Sequence, residues 1–203
     1  MKKIIFAAML ASISAIAFAE VTLFGGQPQM VYEFEHERVA NQGGHSNSMT
    51  LYPGIRWKEG WINQAELMLT HEHETQHTNG DTERTNNQTF AVRIKKNVHF
   101  TENFGGFFRT LVGHKFKTEG SYNYGYVEPA LTYEMDPVSL YTGYRFVRAF
   151  EGGRANDYNL WRIGPGWDIN EHHEVELRYA RAWDVVTHEK RSESVEIEYT
   201  YHY

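Results

Sequence analysis

Ser192-Glu193-Ser194-Val195-Glu196-Ile197-Glu198-Tyr199-Thr200-Tyr201-His202-Tyr203 decides the fold. Val195, Ile197, Tyr199, Tyr201 and Tyr203 are apolar or aromatic, and Ser194, Glu196, Glu198, Thr200 and His202 fall between them. Strict alternation gives an extended strand one oily and one wet face. Such a strand as the last element, ending on an aromatic in a chain with an export signal, is the pattern of an outer-membrane barrel. The expected fold is all-β: an antiparallel, up-and-down transmembrane β-barrel in the outer membrane.

The export signal is read from the other end. Lys2 and Lys3 form a basic start, Ile4 to Phe18 is apolar but too short to span a bilayer, and Ala17-Phe18-Ala19 precedes Glu20. Residues 1–19 are therefore read as a signal peptide and 20–203 as one barrel domain. The chain has no Cys, which excludes a lipoprotein signal and a disulfide framework. Its formal net charge is −6 and becomes more acidic once Lys2 and Lys3 leave, which argues against a nucleic-acid partner. No apolar run of about 20 residues follows the leader, so no transmembrane helix is expected. Barrel strands escape that test because they are apolar only at every second residue.

Alternation recurs upstream of the closing strand. It runs through Met30–Phe34, Met49–Trp57, Trp61–Leu69, Phe90–Ile94, Phe108–Phe116, Leu131–Tyr133, Val138–Phe146, Trp161–Trp167 and Val175–Trp183. With the last strand this predicts ten strands, with twelve as the alternative. Glu59-Gly60, Asn97 to Asn103, Asp136-Pro137 and Ile169 to His173 read as short or modest turns. Val39 to His45, Gln76 to Asn87, Thr118 to Ser121, Phe150 to Asn156 and Asp184 to Arg191 read mostly as longer polar loops, with a tight turn at Asn79-Gly80. Short turns at one end and longer loops at the other fit the periplasmic and extracellular ends of a barrel. Trp57, Trp61 and Trp167 suit the periplasmic aromatic girdle, and Tyr122, Tyr124 and Trp183 the extracellular one.

Three places break the pattern. Val21 and Leu23 are out of phase with Met30 to Phe34, which predicts a bulge or bend at Gly25-Gly26-Gln27-Pro28. Met68 falls on a wet face. Arg181 falls on an oily one, where it snorkels to the interface or meets lipopolysaccharide phosphate. A soluble β-sandwich or a periplasmic lipocalin-like barrel would also alternate. Neither places bulky aromatics outside nearly every strand.

The wet faces carry the functional signal. By parity the inward bases are Arg56, Lys58, Arg93, Lys95, Arg109, Lys115, Lys117, Arg145, Arg162 and Arg178. The inward acids are Glu33, Glu35, Glu37, Glu66, Glu72, Glu74, Glu128, Glu134, Glu176, Glu196 and Glu198. The first and last strands supply mostly Glu, and the fourth, fifth, seventh, eighth and ninth most of the mid-wall Arg. Two readings follow. In one, Arg and Glu meet across a narrow lumen and plug it, as side chains do in barrels of about eight strands. In the other, acidic and basic walls face each other across a water-filled pore, and the arginine forks bind successive carboxylates. Gly113, Gly143, Gly164, Gly166 and Ala180 remove side chains near those arginines and favour the pore.

Several stretches resemble the KdgM family, the oligogalacturonate-specific porins that include the sialic-acid channel NanC. They are Val21-Thr22-Leu23-Phe24-Gly25-Gly26, the Lys58-Glu59-Gly60-Trp61 hairpin, and the run from Arg109 through His114, Gly120, Tyr124 and Gly125 to Asp136-Pro137 and Tyr144-Arg145. The resemblance implies a narrow monomeric barrel whose lumenal arginines pass acidic oligosaccharides. It carries over Arg109 and Arg145 directly, with Arg162 and Arg178 by position in the next two strands. That family has twelve strands, and this chain shows ten.

Taken together, the expectation is a passive channel for small saccharides, acidic ones first and neutral ones as the alternative, not an enzyme, with no cofactor and no metal. Arg93, Arg109, Arg145, Arg162 and Arg178 would line up solute carboxylates opposite Glu33, Glu35, Glu196 and Glu198. Its expected partners are outer-membrane lipid, lipopolysaccharide and the saccharides themselves. A plugged structural or adhesive barrel is the alternative. An outer-rim Asp/His protease is a lesser one, for which Asp184 with His188 is the best pair among Asp81, Asp157, Asp184 and His188. No Gly-x-Ser-x-Gly elbow occurs. His71-Glu72-His73-Glu74-Thr75-Gln76-His77 is the densest set of ligand-type residues and reads as a solvated loop entrance.

Overall fold

In a computed structural model the described residues are 25–39, 44–78, 81–117, 120–151 and 156–203. The leader at 1–19, the phase break at Val21 and Leu23 and the Asn79-Gly80 turn lie outside them. Ten strands follow in chain order: β1 (Gln27–Val39), β2 (His45–Arg56), β3 (Gln64–Thr78), β4 (Asp81–His99), β5 (Phe104–Phe116), β6 (Tyr122–Met135), β7 (Val138–Ala149), β8 (Tyr158–Asn170), β9 (His173–Asp184) and β10 (Lys190–His202). Each pairs antiparallel with its neighbours in sequence, and β10 returns to β1 to close the barrel. The count is ten, not the twelve of the resembling family.

Closure rests on the stretch that opened the sequence analysis. Gln29 lies opposite His202 and Val39 opposite Ser192, so nearly the whole of β10 zips onto β1. The last residue is knitted in as well, with the Tyr203 amide donating to the Pro28 carbonyl at 3.3 Å. No unpaired edge remains between the first and last strands.

The oily face points outward on nearly every strand. Phe34, Phe90, Val92, Val112, Leu131, Leu140, Ile163, Leu177, Val195 and Ile197 are all exposed. An apolar surface running round a closed barrel is favourable only against hydrocarbon. The shortest strands have 12 residues, enough to cross the roughly 9–11-residue path of a tilted transmembrane strand. The start of β1 and the end of β10 share one end of the barrel with the 136–137 and 171–172 turns, which marks that end as periplasmic.

The 76–87 segment departs from the expected loop. The β3–β4 ladder continues outward until Thr78 faces Asp81, so this is a tall β-hairpin. Its residues are polar on both faces, and alternation without hydrophobic contrast hid the strands. Tyr122 and Tyr124 depart as well. Tyr122 is buried, and both line the lumen rather than an outer girdle. Their parity follows Glu128, which β6 turns inward. Met68 does face inward, where it packs against a small apolar patch of Ala91, Leu111, Tyr126 and Val147. Arg181 stays outside, over the Trp183 ring and 3.8 Å from Glu193.

Candidate functional site: a charged belt across the lumen

Strand pleat sends every second side chain into a lumen that ten strands make narrow. Long side chains from opposite walls therefore touch. Arg178 donates two hydrogen bonds to Glu198, at 2.9 and 3.0 Å, and also pairs with Glu176. Arg162 reaches across from β8 to Glu196 on β10, to Glu33 at 3.5 Å on β1 and to Glu128 at 3.3 Å on β6. Glu128 takes a two-bond fork from Arg145 at 2.9 and 3.0 Å, with Arg109 at 3.7 Å and the Tyr141 hydroxyl also on it.

A second arm completes the circuit. Arg93 pairs with Glu66, whose carboxylate also accepts from Gln29 at 2.8 Å and Gln64 at 2.6 Å. The Arg93 guanidinium lies 3.6 Å from the centre of the Tyr52 ring, and the Tyr52 hydroxyl donates to Glu33 at 3.0 Å. Glu33 in turn lies 3.7 Å from Arg178. Every strand contributes: Glu33, Tyr52, Glu66, Arg93, Arg109, Glu128, Arg145, Arg162, Arg178 and Glu196 stand on β1 to β10 in that order. Arg93, Arg162, Arg178, Glu128 and Glu196 are each at most 2% exposed.

This geometry corrects the picture of separated acidic and basic walls. Eight of the nine residues singled out from the sequence join the belt: Arg93, Arg109, Arg145, Arg162, Arg178, Glu33, Glu196 and Glu198. Their charges cancel in contact rather than facing each other across water. Glu35 stands outside the belt, in the wall above it. The small residues do not hold a channel open either. A side chain on Gly143 would meet the Tyr141 ring at 2.9 Å, one on Gly113 would meet the Ala91 Cα at 3.1 Å, and Ala180 is buried with Leu160 and Ala182. They make room for neighbouring side chains.

Sequence reasoning passed over the aromatic members. Tyr126 underlies Arg145 at 4.1 Å, Tyr141 lies 5.2 Å from Arg178, and Phe107 lies 4.7 Å from Arg109 while stacked on Tyr141 at 5.6 Å. Arginine on a ring face gains cation–π attraction without needing another anion. Parity alone places these rings at inward positions beside the arginines.

Above the belt the lumen opens into a cavity of about 560 Å³ toward the extracellular end. Its floor is Glu33, Tyr52, Arg145, Arg162 and Glu196. Glu35, Glu37, Glu72 and Glu74 rise in its wall together with Lys115, Lys117 and Arg191. Lys115 crosses to Glu72 at 2.6 Å. The rim pair considered for proteolysis is otherwise engaged. The Asp184 carboxylate accepts the amides of Val186 at 2.7 Å and Thr187 at 2.8 Å, which fixes the β9–β10 turn. The 71–77 set splits by parity: Glu72, Glu74 and Gln76 line the cavity, and His71 and His73 are exposed on the outer side. No group of three or more His, Cys, Asp or Glu among the described residues has the arrangement of a metal site.

Fold, apolar exterior and polar lumen together define an outer-membrane β-barrel. No family model matches the chain, and no curated protein matches it. Solved structures do match. An outer-membrane channel from Pseudomonas putida F1 aligns with a TM-score of 0.57 at 8% identity, over 88% of this chain and 96% of that one. The β domain of the Bordetella autotransporter BrkA aligns with a TM-score of 0.52 at 9% identity, over 87% and 98%. The KdgM porin reaches a TM-score of 0.45 at 10% identity, over 85% and 99%. At these identities the likeness is one of fold.

Proposed function

We propose that the protein is a narrow outer-membrane channel for small polar solutes, and that acidic saccharides are the class it admits best. The observation that carries this reading is the cavity of about 560 Å³ that enters from outside and ends on charged side chains rather than on backbone. Its floor exposes the side of Arg145 and borders Arg162, so a solute carboxylate arriving there meets two guanidinium groups. It can exchange with Glu128 or Glu196 as the arginines' partner. Side-chain exchange of this kind opens a path without moving a strand.

A second reading is favoured by the depth of the ion pairs: a permanently sealed barrel with a structural role. Single-channel recording in planar bilayers separates the two. A channel gives discrete conductance steps, and Arg145→Glu with Arg162→Glu shifts its selectivity toward cations. Absence of any steps sinks the channel reading and leaves the sealed one. Steps with unchanged selectivity would put the conducting path elsewhere.

A further inference from the structure

His71 and His73 of β3 find no place in the lumen, and their outward neighbours form a pattern. On the outer face, the ladders join His36, Asn47, His73 and Asn86 in one row across β1 to β4. The next row outward joins Arg38, His45, Thr75 and Arg84. Directly inward of both rows lie Phe34 and Met49, the last apolar side chains of β1 and β2. Successive rows on one face are about 7 Å apart. The two rows therefore occupy the zone where the hydrocarbon gives way to lipid headgroups.

The charge on this face is one-sided. On β1 to β4, every Glu of these segments (Glu35, Glu37, Glu72, Glu74) lines the cavity, leaving no carboxylate on the outer face between Phe34 and Arg38, His45 and Met49, His71 and Thr75, or Arg84 and Gln88. Arg38, Arg84, His36 and His73 are exposed. His36 and His73 are held by Nδ1 on the Asn47 side-chain oxygen at 2.8 Å and the Asn86 one at 3.0 Å, so the imidazolium form of each has Nε2–H as its donor toward a phosphate oxygen. The strands beyond this face differ. There Arg148 is spent on the Val147 and Tyr158 carbonyls and on Asn159, and Glu193 sits between Arg181 at 3.8 Å and Lys190 at 3.5 Å. Glu193 also faces Arg38 across the β1–β10 seam, so the basic face ends there.

We propose that the outer face of β1 to β4, through Arg38, Arg84, His36 and His73, binds the phosphates of lipopolysaccharide in the outer leaflet. Guanidinium forks suit phosphate oxygens, and the apolar rows below them receive the acyl chains of the same molecule. The proposal does not depend on whether the lumen conducts.

The test is retention of lipid by the intact barrel, read by native mass spectrometry after reconstitution with diphosphoryl lipid A, phosphate-free lipid A or phosphatidylethanolamine. The parent is expected to retain diphosphoryl lipid A selectively. Arg38→Gln with Arg84→Gln should lower retention at least about tenfold, from the worth of two basic residues at a charged membrane surface. His36→Gln with His73→Gln should lower it less, and Arg148→Gln on β7 should leave it unchanged. Equal retention by the Arg38/Arg84 double variant, or equal retention of phosphate-free lipid A by the parent, overturns the proposal.

Discussion

Arg178 grips both carboxylate oxygens of Glu198, at 2.9 and 3.0 Å, in a lumen where neither side chain reaches bulk water. The two residues stand on adjacent strands, so this fork also fastens β9 to β10. Removing one partner strands the other as a buried charge, which costs about 3–5 kcal/mol. Arg178→Ala should therefore destabilise the barrel by about that amount. Replacing both partners together, Arg178→Met with Glu198→Leu, should cost less, because the carboxylate then left without Arg178 is chiefly Glu176, which is partly exposed. Urea titration followed by the mobility difference between folded and unfolded barrel measures both. A double variant as unstable as the single one would show that the pair's worth lies elsewhere.

Glu128 is the single anion shared by Arg109, Arg145 and Arg162. Glu128→Gln keeps its shape and removes its charge, so the belt gains one net positive charge. The reversal potential under a salt gradient should move toward anion selectivity, and the shift should shrink at high salt as screening grows. A reversal potential identical to that of the parent would remove Glu128 from the conduction path.

Gly164 on β8 packs directly against the backbone of β9. A methyl group there would stand 2.8 Å from the Arg178 Cα and press on the Leu177 carbonyl oxygen. The obstacle is backbone, so relief requires the strands to part. Gly164→Ala should cost about 1–3 kcal/mol, the usual range for overpacking. Gly25→Ala offers a contrast, since nothing lies within 4 Å of its added carbon and only its φ of +75° opposes the change. If Gly164→Ala unfolds at the parent's urea concentration, the close approach is softer than it looks.

The barrel itself was legible because period-two alternation needs only the contrast between Val195, Ile197 or Tyr199 and the glutamates between them. Strand count, closure and the inward direction of the arginines all follow from that contrast. The β3–β4 hairpin escaped where the contrast vanishes: Thr82 to Asn87 is polar at every position, and pairing there is backbone-driven. The belt was half legible. Parity turned Arg162 and Glu196 inward, but whether they meet depends on the lumen's width against the reach of two long side chains. Sequence carries strand number and no width. The same gap explains Tyr141: a ring at an inward position reads as filler until its neighbours Gly143, Glu128 and Phe107 are placed around it.

Asp184 bears on the remaining enzymatic reading. Its carboxylate holds the Val186 and Thr187 amides, its backbone amide donates to Glu189 at 3.0 Å, and His188 takes a φ of 58° in the same turn. These contacts give Asp184 a turn-fixing role of the kind Asp side chains play in loops. Asp184→Ala should loosen residues 185–189, so an added protease should nick that loop several times faster. The mutation removes no belt contact, so global stability should stay within about 0.5 kcal/mol, as for a surface change. Asp184→Asn, which keeps one acceptor oxygen, should restore most of the protection. Limited proteolysis with the urea titration as control reads all three. Should the parent cleave test peptides, and lose that activity in Asp184→Ala while the loop stays intact, a rim protease would replace the turn as the reason for this residue.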